Sequence, residues 1–152
     1  MISATSAPGP VIRAEMLARA LGRRKPGRVL PIVDLAVPRD VEEACTLLAA
    51  SEKPYLHIFL PIAGAFLKHV LGAGPEDGLH LIEQSLGAAK GAGLRVQFSL
   101  AEVGEADESY LLEAARAAVE AGTHVLNLAD TNGCMHPEAA GALVRRVREA
   151  LK

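Results

Sequence analysis

His124–Pro137, HVLNLADTNGCMHP, is the stretch whose reading decides the fold. An apolar strand runs from His124 to Ala129 and stops at Asp130-Thr131. The chain then turns through Asn132-Gly133 and enters a helix at Pro137, a residue suited to a helix's first position. Strand, polar residues, turn and helix make one βα unit, and the carboxyl end of the strand is where α/β folds place their chemistry.

The same unit repeats upstream. Leu94–Ser99, LRVQFS, reads as a strand, followed by the loop AEVGEA and a helix capped by Asp107. That helix carries Leu111, Ala115, Ala118 and Val119 on one face, and Gly122 stops it. Tyr55–Pro61, YLHIFLP, is another buried strand. Gly64–Gly74 reads as a loop with a helical turn before a helix opened by Pro75-Glu76-Asp77, buried through Leu79, Ile82, Leu86 and Ala89, and ended by Gly91–Gly93. Arg28–Leu35, RVLPIVDL, is β-branched and apolar, with Pro31 placing it at a sheet edge. Asp40 and Glu43 form a capping-box pattern, and Val41, Ala44, Cys45, Leu48 and Ala49 lie on one helical stripe. Cys45 therefore reads as a small core residue. VIRAEMLARALG, residues 11–22, has helical spacing, and MISATSAPGP, residues 1–10, reads as a flexible lead-in. Downstream, the helix from Pro137 turns Ala140, Leu143, Val144, Val147 and Leu151 inward.

Strands beginning near residues 28, 55, 94 and 124 repeat about every 30 residues, close to the spacing of a (βα)8 barrel. Strands alternating with amphipathic helices imply a parallel sheet with right-handed crossovers. The expected fold is α/β: a partial (βα)8 TIM barrel of about four consecutive βα units with one preceding helix, occupying residues 11–152. Periodicity alone leaves an open doubly wound sheet as the alternative.

The charge is nearly balanced, with 16 basic and 18 acidic residues, so nothing electrostatic favours nucleic acid or an anionic membrane as partner. Arg23-Arg24-Lys25 and Arg145-Arg146 read as solvated helix ends. Two cysteines without CxxC spacing point to a reducing compartment. No secretory signal pattern is present, and the longest apolar run, Ile58–Leu67, is interrupted by Pro61 and falls short of the ~20 residues of a spanning helix. A cytoplasmic location is expected.

Several motif readings fail on context. There is no P-loop, and Gly72-x-Gly74 and Gly91-x-Gly93 follow helices rather than strands, which rejects a dinucleotide fingerprint. Cys134-Met135-His136 lacks further metal ligands at usable spacing. Position within the repeats is more telling. His57 lies in the second strand, Ser99 ends the third, and Asp130 and Thr131 end the fourth. In a parallel sheet these groups share one rim. Glu102 and Glu105 occupy the loop after the third strand, and Glu102 is the candidate general acid or base.

These residues carry a family resemblance. DLAVPRDVEEA, EKPYLHIFLPIA, GLRVQFSLAE and AGTHVLNLADTNGCMHPEAAGALVRRVR resemble the central catalytic barrel of the 2-isopropylmalate, homocitrate and citramalate synthases, which are pyruvate carboxyltransferase-like, HMG-CoA-lyase-like barrels. The last segment resembles the block AGA-x-x-(I/L)-x-(I/L)-x-DT-x-G-x-x-x-P most closely, and SAPG near the start resembles the loop after the family's second strand. The resemblance implies strands three to six of the barrel. It also implies a Claisen-type transfer of an acetyl group from acetyl-CoA to a 2-oxo acid held on a divalent metal (Mg, Mn or Zn). By it His57 matches the histidine of an H-x-F motif that helps hold substrate. Ser99 matches the serine of F-S-P-E, and Thr131 matches the threonine of D-T-x-G that contacts the substrate carboxylate.

The departures bear on activity. The family's Arg-Asp pair on strand one and His-x-His motif on strand seven, which supply metal ligands, have no counterpart in this sequence, so no metal-ligating residue is assigned. The acid of F-S-P-E aligns with Ala101, leaving Glu102 one position late. Ala63-Gly64 replaces a Ser/Thr-Asp pair. The implied activity is that of a partial or split condensing enzyme, inactive alone. The alternative is a non-catalytic half-barrel that binds a small carboxylate, or pairs with and regulates a full-length synthase. An open parallel sheet has two unpaired edges, so a homo-oligomer or a partner barrel fragment is expected alongside a 2-oxo acid.

Overall fold

The computed structural model describes residues 2–3, 19, 31–34, 41, 44–46, 48 and 51–152. Five parallel strands form one sheet: β1 (Ile2–Ser3), β2 (Pro31–Asp34), β3 (Tyr55–Pro61), β4 (Arg95–Ala101) and β5 (Val125–Ala129). Their order in the sheet is their order in the chain. That is the order of a barrel, in which each βα unit adds the next strand on the same side. A doubly wound sheet reverses direction at a switch point, and none occurs among these strands.

The sheet has one strand more than the sequence reading supplied. β1 falls within the expected lead-in and pairs Ile2 with Val33 and Ser3 with Asp34. Two residues are too few for any periodicity to mark them. β2 is flanked by β1 and β3 rather than lying at an edge. Pro31 is tolerated because it opens the strand, ahead of the residues that β1 reaches. The expected helix over 11–22 and the capping pair Asp40 and Glu43 lie outside the described residues, although Arg19 is helical.

After β3 the chain forms a short helix α1 (Gly64–Phe66) that widens into a π-helical turn, Leu67–Leu71. This is the helical turn expected inside Gly64–Gly74. Helix α2 (Pro75–Gly91) begins with proline, and the Asp77 carboxylate accepts the Gly74 N–H at 2.7 Å. Helix α3 (Glu108–Glu120) is capped as expected, Asp107 accepting from the Tyr110 N–H at 3.1 Å. Helix α4 (Pro137–Ala150) follows β5.

Strand alternation divides the sheet into two unlike faces. Leu56, Ile58, Val96, Phe98 and Leu100 are buried and belong to one core with Ile82, Leu86 and Ala89 of α2 and Leu111, Ala114, Ala115 and Ala118 of α3. Val41, Ala44, Cys45 and Leu48 join that core, as their stripe required. Fully burying each large apolar side chain contributes roughly 1.5–3 kcal/mol. The opposite face carries the polar side chains Tyr55, His57, Gln97, Ser99 and Asn127, interleaved with Val33, Phe59 and Val125.

Helices α2 and α3 meet at Gly78 and Tyr110. A Cβ at Gly78 would overlap the Tyr110 hydroxyl, so only glycine lets the ring lie against the helix. That hydroxyl is buried without a hydrogen-bond partner among the described residues. Burial, with the charge of Glu113 as a lesser contribution, pushes its pKa up to about 12. Tyr110→Phe removes an unsatisfied polar atom and is expected to leave stability unchanged or raise it by about 1 kcal/mol. Gly78→Ala is expected to lower it by roughly 1–3 kcal/mol through overpacking. Urea denaturation of both variants checks the pair, and a Tyr110→Phe chain weaker than wild type would contradict it.

Candidate functional site

Parallel pairing puts all strand carboxyl ends on one rim and sets the polar face in diagonal steps. Phe59 pairs with Ser99 and Ser99 with Asn127, while His57 pairs with Gln97. The side-chain bonds from β3 to β4 lean two residues toward the rim. Tyr55 Oη donates to Gln97 Oε1 at 3.0 Å, and His57 Nε2 lies 2.7 Å from Ser99 Oγ. Asn127 Nδ2 donates to the same Ser99 Oγ at 3.0 Å. Strand tilt in barrels produces such a stagger.

Of the residues singled out by sequence, His57 and Ser99 are therefore in direct contact. Burial lowers the His57 pKa from its ordinary 6.5, so the imidazole is neutral at pH 7. A serine 2.7 Å from a histidine has the spacing of a nucleophile and its base. Ser99 is only 3% exposed, however, and its oxygen already accepts from Asn127. The Ser99 oxygen is therefore enclosed between His57 and Asn127.

Thr131 and Glu102 form the second contact, at the rim itself. The Glu102 N–H donates to Thr131 Oγ1 at 3.2 Å. Among the described residues the Thr131 hydrogen reaches only Ala129 O at 3.5 Å, the long limit of a hydrogen bond, which leaves it available to another acceptor. Glu102 has φ +60, an uncommon value for a residue with a side chain, and its carboxylate has no hydrogen-bond partner among the described residues. Ala101 is the last residue of β4, paired with Pro61 and Ala129 on the polar face.

The loops after β4 and β5 interlock around this point. Val103 N–H donates to Ala129 O at 3.2 Å, and Asn132 Nδ2 donates to Glu105 Oε1 at 2.7 Å. Glu105 is thus tied across the loops rather than simply solvated. A Cβ at Gly104 would lie 2.6 Å from Cys134 Sγ and 2.8 Å from Met135 Cγ, so the loops approach too closely for any larger residue. Asp130 folds the DTNG turn upon itself, accepting from Met135 N–H at 2.8 Å and Cys134 N–H at 3.1 Å. These bonds, Met135 foremost, hold its carboxyl below the ordinary carboxylate value. The same carboxylate accepts from the Cys134 thiol and pushes that thiol's pKa up, which disfavours a thiolate. Among the described residues no three His, Cys, Asp or Glu side chains come together to hold a metal ion. The described residues do not fit a cation site.

A largely apolar cavity of about 380 Å³ adjoins the rim. Phe59, Phe66, Leu71, Ile82 and Phe98 line it, and Glu102 and Thr131 contribute its polar edge. A cavity of this kind accepts the apolar part of a small ligand whose polar part is held nearby.

Asn127, Gln97 and Tyr55 were not singled out by sequence. The signal for Asn127 was present: in LNLA the alternation puts it on the face of Ala129, one strand from Ser99. It stands in a variable position of the DTNG block and so drew no attention.

Comparison with known proteins follows the same outline. The HMGL-like family model matches residues 15–152. The 2-isopropylmalate synthase of Microcystis aeruginosa is 26% identical over 144 residues, 95% of this chain and 27% of that protein. That of Clostridium kluyveri is 30% identical over 134 residues, 88% of this chain and 26% of that protein. Among solved structures, the Bacillus subtilis HMG-CoA lyase superposes with a TM-score of 0.71 at 18% identity, covering 89% of this chain and 46% of that one. The Brucella melitensis HMG-CoA lyase gives 0.69 at 17% identity, with 90% and 48% covered. The chain spans about a quarter of the length of these curated relatives and just under half of the lyase chains. The shared fold is a partial TIM-type barrel.

The lowered His57 pKa sets a pH dependence of stability. Its folded value lies below the unfolded one, so the neutral form is favoured in the fold. The stability it contributes is present above about pH 6.5 and is lost as pH falls through the lowered folded value. The urea midpoint is expected to decline over that window. His57→Gln, which removes the titrating group and keeps an amide able to reach Ser99, is expected to flatten the decline.

Proposed function

We propose that this chain, which belongs to the HMGL-like family, forms the 2-oxo-acid-holding segment of an acyl-CoA-dependent condensing enzyme of the 2-isopropylmalate or homocitrate synthase type. The observation that carries this reading is that His57 on β3 touches Ser99 on β4, while Thr131, in the turn just past β5, meets the loop that leaves β4. In this reading His57, fixed by Ser99, offers a ring nitrogen to a ligand oxygen. The weakly engaged Thr131 hydroxyl donates to the carboxylate. The cavity beside Thr131 takes the aliphatic side chain, and Glu102 is the nearest carboxyl for proton transfer.

The divalent metal and acetyl-CoA belong to the whole condensing enzyme. Because the described residues form no cation site, no step is assigned through one. The segment alone is proposed to bind without condensing. One observation favours the second reading, a non-catalytic half-barrel that binds a small carboxylate or regulates a full-length synthase: Ala101 stands on the polar face where an acid would complete the row with His57 and Ser99.

Titration of the purified chain with pyruvate, 2-oxobutanoate and 2-oxoisovalerate, followed by NMR, tests the holding role. Thr131→Ala and His57→Ala are each expected to weaken binding by about 1–2 kcal/mol. No binding of any 2-oxo acid would sink the reading. Free CoA released from acetyl-CoA by the isolated chain with Mg²⁺ or Mn²⁺ would overturn its inactivity.

A partner is part of the proposal. Val144 is 54% exposed and lines an apolar groove between β5 and α4 together with Leu126, Leu128 and Val147. A second copy or another barrel piece would cover that edge. Light scattering is expected to give a mass above that of one chain, and a monomer at high concentration would count against it.

A further inference from the structure

We propose that Asn127 is a positioning residue that acts through Ser99 to hold the His57 imidazole in its Nδ1–H tautomer. The inference deepens the binding role proposed above for His57 and rests on it for its functional meaning. It stands on three atoms linked in turn across three strands: Asn127 Nδ2 lies 3.0 Å from Ser99 Oγ, which lies 2.7 Å from His57 Nε2.

The direction of this relay follows from what each group can do. An amide nitrogen only donates, so Asn127 fills one lone pair of Ser99 Oγ. Ser99 owns a single hydrogen and is 3% exposed, so that hydrogen must find a protein acceptor. Among the described residues the acceptor within reach is His57 Nε2. Were Nε2 to carry a hydrogen instead, it would point at Ser99 Oγ, and the buried hydroxyl hydrogen would be left with nothing to bond. The arrangement that satisfies every group runs Asn127 N–H to Ser99 O–H to His57 Nε2, with the imidazole hydrogen on Nδ1.

Two consequences follow for chemistry. His57 is not a base through Nε2, because that lone pair holds the Ser99 hydrogen. Its Nδ1–H has no hydrogen-bond partner among the described residues, so it is a donor available to the keto or carboxylate oxygen of a 2-oxo acid. Asn127 never touches that ligand. It decides which nitrogen of His57 faces it as a donor.

The experiment reads the tautomer directly, without ligand, from ¹⁵N chemical shifts of the imidazole nitrogens near pH 8, with His57→Gln identifying the His57 signals. Wild type is expected to show a protonated Nδ1 and a bare Nε2. In Asn127→Asp the new carboxylate cannot donate. Ser99 then gives its hydrogen to Asp, and His57 must donate from Nε2, reversing the two shifts. Asn127→Leu, which keeps the bulk and removes the amide without supplying an acceptor, leaves the Ser99 hydrogen on His57 Nε2 and is expected to keep the wild-type pair of shifts, so that a reversal in Asn127→Leu also overturns the proposal. Wild-type protonation on Nε2 overturns the proposal with no variant needed, and so does one tautomer shared by wild type and Asn127→Asp. The stated tautomers without any 2-oxo acid binding would uphold the relay and sink the binding reading. Binding with the opposite tautomer would sink the relay alone.

Discussion

The parallel pairing of β4 on both its sides is the constraint on which the rest depends. It pairs with β3 along its whole length and with β5 over Gln97–Ala101. Because side chains alternate, that pairing decides two things at once. Val96, Phe98 and Leu100 enter the helix-covered core, and Gln97, Ser99 and Ala101 are assigned to the opposite face. A slip of one residue would bury the polar set and expose the apolar one. Core and site are therefore a single commitment. The free energy of burying Phe98 also keeps Ser99 between His57 and Asn127.

The rim depends on the same pairing at one remove. Once β4 and β5 end level at Ala101 and Ala129, their loops leave side by side and must share space. Gly104 permits the approach, Asp130 curls the second loop over it, and Asn132 ties the second loop to Glu105 in the first. Glu102 takes a left-handed backbone there, held by its own N–H on Thr131 and by Val103 on Ala129. Backbone strain of this kind persists only where the surroundings over-determine it, and the interlocked loops supply that.

Most of the architecture was legible because burial writes itself as period. Strands 55–61, 94–99 and 124–129 and the helices after them fall where alternation and i, i+3, i+4 spacing put them, and Asp107 caps as its residue type demands. β1 was not legible, since two residues carry no period. Nor was the place of β2, because Pro31 forbids a ladder bond only where a neighbour is present to make one. Within the site, His57, Ser99 and Thr131 stand out by their places in the strand repeats and by the family motifs they match, and the structure brings His57 against Ser99. Asn127 was missed because its importance lies in what it donates to, a relation across 28 residues that no local pattern encodes. The bond from Asn132 to Glu105 is invisible in sequence for the same reason.

The displacement of the acid from Ala101 to Glu102 is best understood through this geometry. An acid at 101 would end β4 on the face of His57 and Ser99, level with Ala129 and close to Thr131. At 102 it falls past the last paired residue, where the backbone has already turned left-handed, and it sits at the edge of the apolar cavity. One position therefore changes the partner set. The row of neutral donors on the polar face keeps its capacity to hold an oxygen-bearing ligand but loses a carboxyl within the row to move a proton. Holding requires only fixed donors, which the Asn127–Ser99–His57 line and Thr131 provide. Proton transfer requires a carboxyl aimed at the held ligand, and the Glu102 backbone aims it from outside the row. In the proposed reading, this geometry suits holding a ligand better than turning it over.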